Sequence, residues 1–113
     1  MVEIEINSDT IVFDTDSVVV RHPVKKSVQK EDVLIVLLDV PSGTIDNQNV
    51  IGFSTSGQRL WEIEPISDSS TAEQPYVNLF EEDGDVWVYN PVGAKCRLDI
   101  ETGNFTKKVQ KKW

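Results

Sequence analysis

Apolar and polar positions alternate along most of this chain with a period of two, and no segment sustains the 3.6-residue period of a helix. Val2–Ile6 alternates apolar with acidic, and Thr10–Phe13 is a short β-branched and aromatic run. Asp14-Thr15-Asp16-Ser17 is turn chemistry, since Asp and Ser side chains bond their own backbone, so residues 10–21 read as a hairpin. Val24–Val28 follows as a strand, with Pro23 at its entry, where a missing donor is tolerated. Val33–Val40, "VLIVLLDV", is apolar on both alternation faces. That pattern predicts a central strand covered on both sides; its Val and Ile content and short length argue against a buried helix.

The second half repeats the grammar. "NVIGFSTSGQRLWEIE" (49–64) reads strand, turn, strand, closing on Gly57. Tyr76–Glu82 and Val86–Asn90 flank Asp83-Gly84-Asp85, a tight-turn signal. Asn90-Pro91-Val92-Gly93 turns the chain again. In Ala94–Ile100 the residues Ala94, Cys96, Leu98 and Ile100 face one way, and Lys95, Arg97, Asp99 and Glu101 the other. Glu101-Thr102-Gly103-Asn104 makes the last turn into Phe105–Gln110, although Phe105, Val109 and Trp113 recur every four residues and leave a terminal helical turn open. The best loop candidate is "PISDSSTAEQP" (65–75), long for a connection. About ten short strands and no helix define one all-β domain over residues 1–113, an antiparallel meander in two packed sheets.

Composition and charge narrow the partners. A chain of 113 residues with 39% hydrophobic and 27% charged residues has the make-up of a globular domain. The N-terminus lacks the basic start and apolar centre of a signal peptide, the longest apolar run (Val33–Leu38) is far too short to span a bilayer, and one cysteine forms no internal disulfide. The expected location is the cytoplasm. The net charge of −8 is uneven: residues 31–94 hold twelve acidic side chains against Arg59 alone, whereas residues 95–113 are net positive and end in "TKKVQKKW". An acidic body disfavours phosphate backbones, so nucleic acid is not an expected partner.

Two segments share an outline of strand, glycine-closed turn and outgoing strand: "IGFSTSGQRLW" (51–61) and "CRLDIETGNF" (96–105). The "LD-x-x-TG" of the second resembles the blade signature of pyrroloquinoline-quinone-type β-propeller repeats. The first supplies Trp61, four residues after its glycine, where such repeats place a tryptophan. Ser54 stands where the repeat has an aspartate, and Lys107 takes the tryptophan position of the second copy. "NVIGFSTSGQRLWEIEP", with "PYVNLF", "YNPVG" and "LDIETG", is also similar to a family of small uncharacterised bacterial proteins with a "GxxLWxIEP" hairpin and a "D-x-x-TG" turn. The resemblance implies propeller-blade-like hairpins in which Trp61 covers the turn of a neighbouring unit. A complete propeller of four or more blades of roughly 40 residues needs a longer chain, and no quinone site is implied.

Candidate chemistry is sparse. His22, the single histidine, has no Ser or Cys motif beside it to serve as its nucleophile. Cys96 lies on the apolar face of its strand, where a thiol is a small core residue. "FEEDGDVW" and "DTDS" concentrate carboxylates without the twelve-residue calcium loop, and no phosphate-loop or zinc motif occurs. No metal or cofactor is expected. The aromatic residues Trp61, Tyr76, Phe80, Trp87 and Tyr89 fall within 29 residues. If Val86 and Val88 line the core, Trp87 and Tyr89 occupy the opposite face, with Asn90 at the strand end as a polar contact. The expectation is a small non-catalytic binding or interaction protein, immunity- or inhibitor-like, reading another protein or a second copy of itself through Trp61, Trp87, Tyr89 and Asn90. The alternative is an enzyme or ligand pocket that uses His22 with carboxylates near the 65–75 loop.

Overall fold

The computed structural model describes residues 4–14, 16–66 and 73–110. The start of the first predicted strand, most of the 65–75 loop and the terminal turn at Trp113 lie outside these residues. The described residues form eleven strands in succession: β1 (Ile4–Asn7), β2 (Thr10–Phe13), β3 (Asp16–Val19), β4 (Val24–Lys30), β5 (Val33–Leu38), β6 (Val50–Ser54), β7 (Arg59–Glu62), β8 (Asn78–Glu82), β9 (Asp85–Asn90), β10 (Ala94–Leu98) and β11 (Phe105–Gln110). There is no helix among the described residues, so Phe105–Gln110 is strand and not a helical turn.

All pairing is antiparallel and each strand pairs with its sequence neighbour, which gives three meanders: β1–β3, β4–β7 and β8–β11. No sheet of the described residues closes into a barrel. The three sheets stack as layers, and the doubly apolar "VLIVLL" of β5 explains why. Val33, Ile35 and Leu37 pack with Val50, Leu79, Val86, Val88, Ala94, Cys96 and Leu98 between the second and third sheets. Leu34, Val36 and Leu38 point the other way and pack with Ile11, Phe13, Ile51 and Phe53 between the second and first. A strand apolar on both faces requires a layer on each side, so the middle sheet needs a third one to cover it.

Trp61 rivets the second and third sheets. It pairs directly with Gly52 on β6, and its ring fills the space that a side chain there would need. The ring also meets Gly103, where an added Cβ would stand 2.6 Å away. Its indole N–H donates to the Ile100 carbonyl at 2.7 Å. Gly103 closes a turn organised by Asp99, whose carbonyl accepts from the Gly103 N–H and whose carboxylate accepts from the Glu101 N–H. The two glycine-centred segments singled out in the sequence therefore meet across one indole.

Five hairpin turns converge at one end: the β2–β3 turn at Asp14, Glu31-Asp32, residues 55–58, Asp83-Gly84 and residues 99–104. Contacts of Phe13 with Gly57, Thr55 N–H with the Asp32 carbonyl, Lys30 with Glu81 and Arg97 with Asp85 hold them together. Asp14, Glu31 and Asp83 take φ of +52°, +54° and +53° at the tips of these turns.

Candidate functional site

Strand β9 divides its side chains as its alternation requires. Val86 and Val88 are buried in the core, while Trp87 and Tyr89 are half-buried on the outer face of the third sheet. The register sets Phe80 opposite Trp87 and Trp87 opposite Arg97, with Tyr89 between Asn78 and Lys95. Lys95 reaches over this face: its ammonium stands 4.6 Å from the Trp87 ring centroid and 5.4 Å from that of Phe80, and pairs with Glu82 at 2.7 Å. Arg97 approaches Asp85 at 3.7 Å. The result is an aromatic face crossed by two ion pairs, Lys95–Glu82 and Arg97–Asp85. A cation held over an indole is attracted by the ring's negative face.

The other predicted contacts lie inside the fold. Trp61 is 7% exposed and occupied as described above. Asn90 is fully buried: its amide donates to the Gln74 carbonyl at 2.9 Å, and its oxygen accepts from the Val92 N–H at 3.1 Å. A side chain with no exposure needs its hydrogen-bond partners inside the protein, and these two backbone groups supply them. Asn49 plays the same part at the start of β6. Its amide donates to the carbonyls of Leu38 and Tyr76, and its oxygen accepts from the Tyr76 N–H. Nothing distinguished Asn49 in the sequence, because it closes a polar loop whose composition predicts exposure.

His22 has a carboxylate partner, drawn from the β5–β6 connection and not from the 65–75 segment. Its Nε2 stands 3.0 Å from Asp46 Oδ2, with both side chains largely buried. Arg21 grips the same carboxylate with Nε (2.7 Å) and Nη2 (3.1 Å), donates to the Gln48 carbonyl, and touches Glu62, which Arg59 also pairs. Burial alone would push the Asp46 carboxyl up. The Arg21 hydrogen bond and charge, the Gln48 N–H and His22 outweigh that and hold it below the usual carboxylate range. Cys96 sits in the core between the second and third sheets, where burial pushes its thiol up. No group of three metal-ligating side chains occurs among the described residues.

Beside this ion-pair cluster runs a groove of about 380 Å³, walled by Val18, Val19, Val20 and Arg21 on one side and by Ile51, Phe53, Gly57 and Arg59 on the other. Its floor is apolar, and the charged residues of its wall are both arginines.

Fold and surface together define a small all-β protein of three stacked antiparallel meanders, with an aromatic outer face and a lateral groove. The chain belongs to the family described as a domain of unknown function (DUF7957), whose model matches residues 1–110. No curated protein matches the sequence. No helix among the described residues is long and apolar enough to cross a membrane.

Proposed function

We propose that this chain is a small non-catalytic interaction protein of the cytoplasm, of the immunity or inhibitor kind, which binds another protein through the outer face of its third sheet. One observation carries the reading. Phe80, Trp87 and Tyr89 lie half-buried on the face of that sheet turned away from the core, with no further layer of the described chain over them. Tryptophan and tyrosine concentrate in protein contacts because they offer large apolar area at small entropic cost. The four-stranded meanders β4–β7 and β8–β11, joined through Trp61, support their reading as blade-like units, and the acidic turns at one end favour a partner with a basic surface.

The test is site-specific photo-crosslinking in cells that make the protein, with the reactive residue at position 87 and, as the control, at Glu5, an exposed residue on the first sheet. Discrete adducts with one protein at position 87 and none at position 5 are expected. Adducts of equal yield at both positions, or none at 87, would sink the proposal. Light scattering at rising concentration separates self-association on this face from capture of a different protein.

A second reading, chemistry at His22, draws on its 3.0 Å contact with Asp46. It ranks lower because both oxygens of that carboxylate are engaged by Arg21 and the one thiol is enclosed in the core. Loss of a hydrolytic activity in His22→Ala with unchanged folding would reverse that order.

A further inference from the structure

Among the described residues the second and third sheets are four-stranded meanders, whereas the first has three strands with β3 on its edge. The layers are in step. Ile11 and Phe13 of β2 pack on Leu34 and Val36 of β5 and on Ile51 and Phe53 of β6, and β3 forms one wall of the groove whose other wall is β6 and the start of β7. The position that a fourth strand of the first sheet would take, beside β3 and opposite β7, is the groove.

The edge of β3 is ready to pair. The Val20 N–H bonds the Asp9 carbonyl on the β2 side. Backbone groups point to alternate sides along a strand, so those of Val18 face β2 as well, and those of Ser17 and Val19 face the groove. Three of the other five edges are blunted. Strand β4 bulges at Lys25, β7 at Leu60 and β11 at Thr106, and β4 and β11 carry further lysines along their length. Strands β1, β3 and β8 keep an unbroken register and carry no lysine, and of these β3 alone lines the groove, with Val19 70% exposed.

We infer that β3 accepts an extended segment of another protein as the fourth strand of the first sheet, with apolar residues at alternate positions seated on Val18, Val20, Ile51 and Phe53 and a carboxylate reaching Arg59. Charge sets that last feature: Arg59 is the one basic residue between positions 31 and 94, and it stands with Arg21 at the groove wall. Volume permits it as well, since about 380 Å³ suits a few side chains and not a folded domain. A second copy does not fit. Two β3 strands pairing antiparallel are related by a two-fold axis perpendicular to the sheet, which keeps the second sheets of both copies on one side. Strand β7 of each copy would then enter the space held by β6 and β7 of the other. This site is separate from the aromatic face, and either can fail without the other.

The test pans a random nine-residue peptide display library on the wild-type chain and on Val19→Pro. Proline at an outward-facing edge position removes one groove-facing donor and leaves the bonds to β2 in place. Peptides enriched on the wild type should alternate apolar residues, carry an acidic residue toward one end, and bind Val19→Pro at least tenfold more weakly and Arg59→Glu several-fold more weakly. Bound peptide should slow hydrogen exchange at the Ser17 and Val19 amides of the wild-type chain, a measurement that does not depend on the variant folding. No enrichment, enrichment undiminished on Val19→Pro, or exchange unchanged at these two amides would overturn the inference. A concentration-dependent dimer protected at Ser17 and Val19 would overturn it in favour of self-pairing.

Discussion

At the scale of single residues, small and buried positions set the tolerance of this fold. Gly52 lies against the Trp61 ring, so the methyl group of Gly52→Ala would enter the indole. Neither the paired backbone nor an indole bonded to Ile100 can move aside without breaking the second layer from the third. Gly52→Ala should cost about 2–3 kcal/mol, at the upper end for overpacking, and shift tryptophan fluorescence to the red; urea denaturation and emission spectra check both. Tyr76 makes a second residue-scale prediction. Its hydroxyl donates to the Glu64 carbonyl at 2.6 Å, and burial first, then the charges of Cys96 and Glu64, pushes its ionisation well above the ordinary tyrosine value near 10. Because the folded form holds the proton more tightly, this contribution is complete below pH 10 and disappears as pH rises beyond it. The urea midpoint should therefore fall above about pH 10 in the wild type and fall less in Tyr76→Phe.

Among the elements, the hairpin turns hold the most improvable positions. Glu31-Asp32 joins β4 to β5 as a two-residue loop, and Glu31 sits at φ +54°. A left-handed conformation is costly for a glutamate and routine for asparagine or glycine, which are the residues that such tight turns select. Glu31→Asn should stabilise the chain by about 0.5–1 kcal/mol, readable as a higher thermal midpoint with an unchanged fold. A loss of stability would mean that the Glu31 carboxylate makes a contribution larger than its backbone strain. The alternation that separates the two faces of β9 also predicted which face of β10 enters the core.

For the whole molecule, the controlling feature is that one sheet is shared between two cores. Strand β5 gives three side chains to each, and all six of its residues are buried. Opening either interface uncovers the same strand, so the three sheets should unfold together. Native-state hydrogen exchange is expected to find the slowest amides in β5 and β6, with free energies near the global value. Slow exchange confined to the third sheet, with β5 opening separately, would show that the layers are independent. The end-clustered acidic turns belong to this scale as well, since antiparallel meanders return every second connection to the same end.

By itself, the amino-acid sequence determined most of the strands, the turns built on glycine, asparagine and aspartate, and the alternation of faces along each strand, because these follow from a period of two and from the dihedral needs of those residues. It also implied a layer on each side of Val33–Leu38, but the two packed sheets expected from the pattern are three in the structure, because one further sheet cannot cover both faces of that strand. Only the tertiary structure decided where polar side chains go. Asn90 and Asn49 look like surface residues and are buried clamps, since their role depends on backbone groups that distant segments bring to them. Asp46 reaches His22 and Arg21 across 24 and 25 positions, and Trp61 reaches Gly103 across 42, separations over which no local pattern carries information. The open edge of β3 arises in the same way: an unpaired strand is a property of what lies beside it, and among the described residues the first sheet ends one strand short of its neighbours.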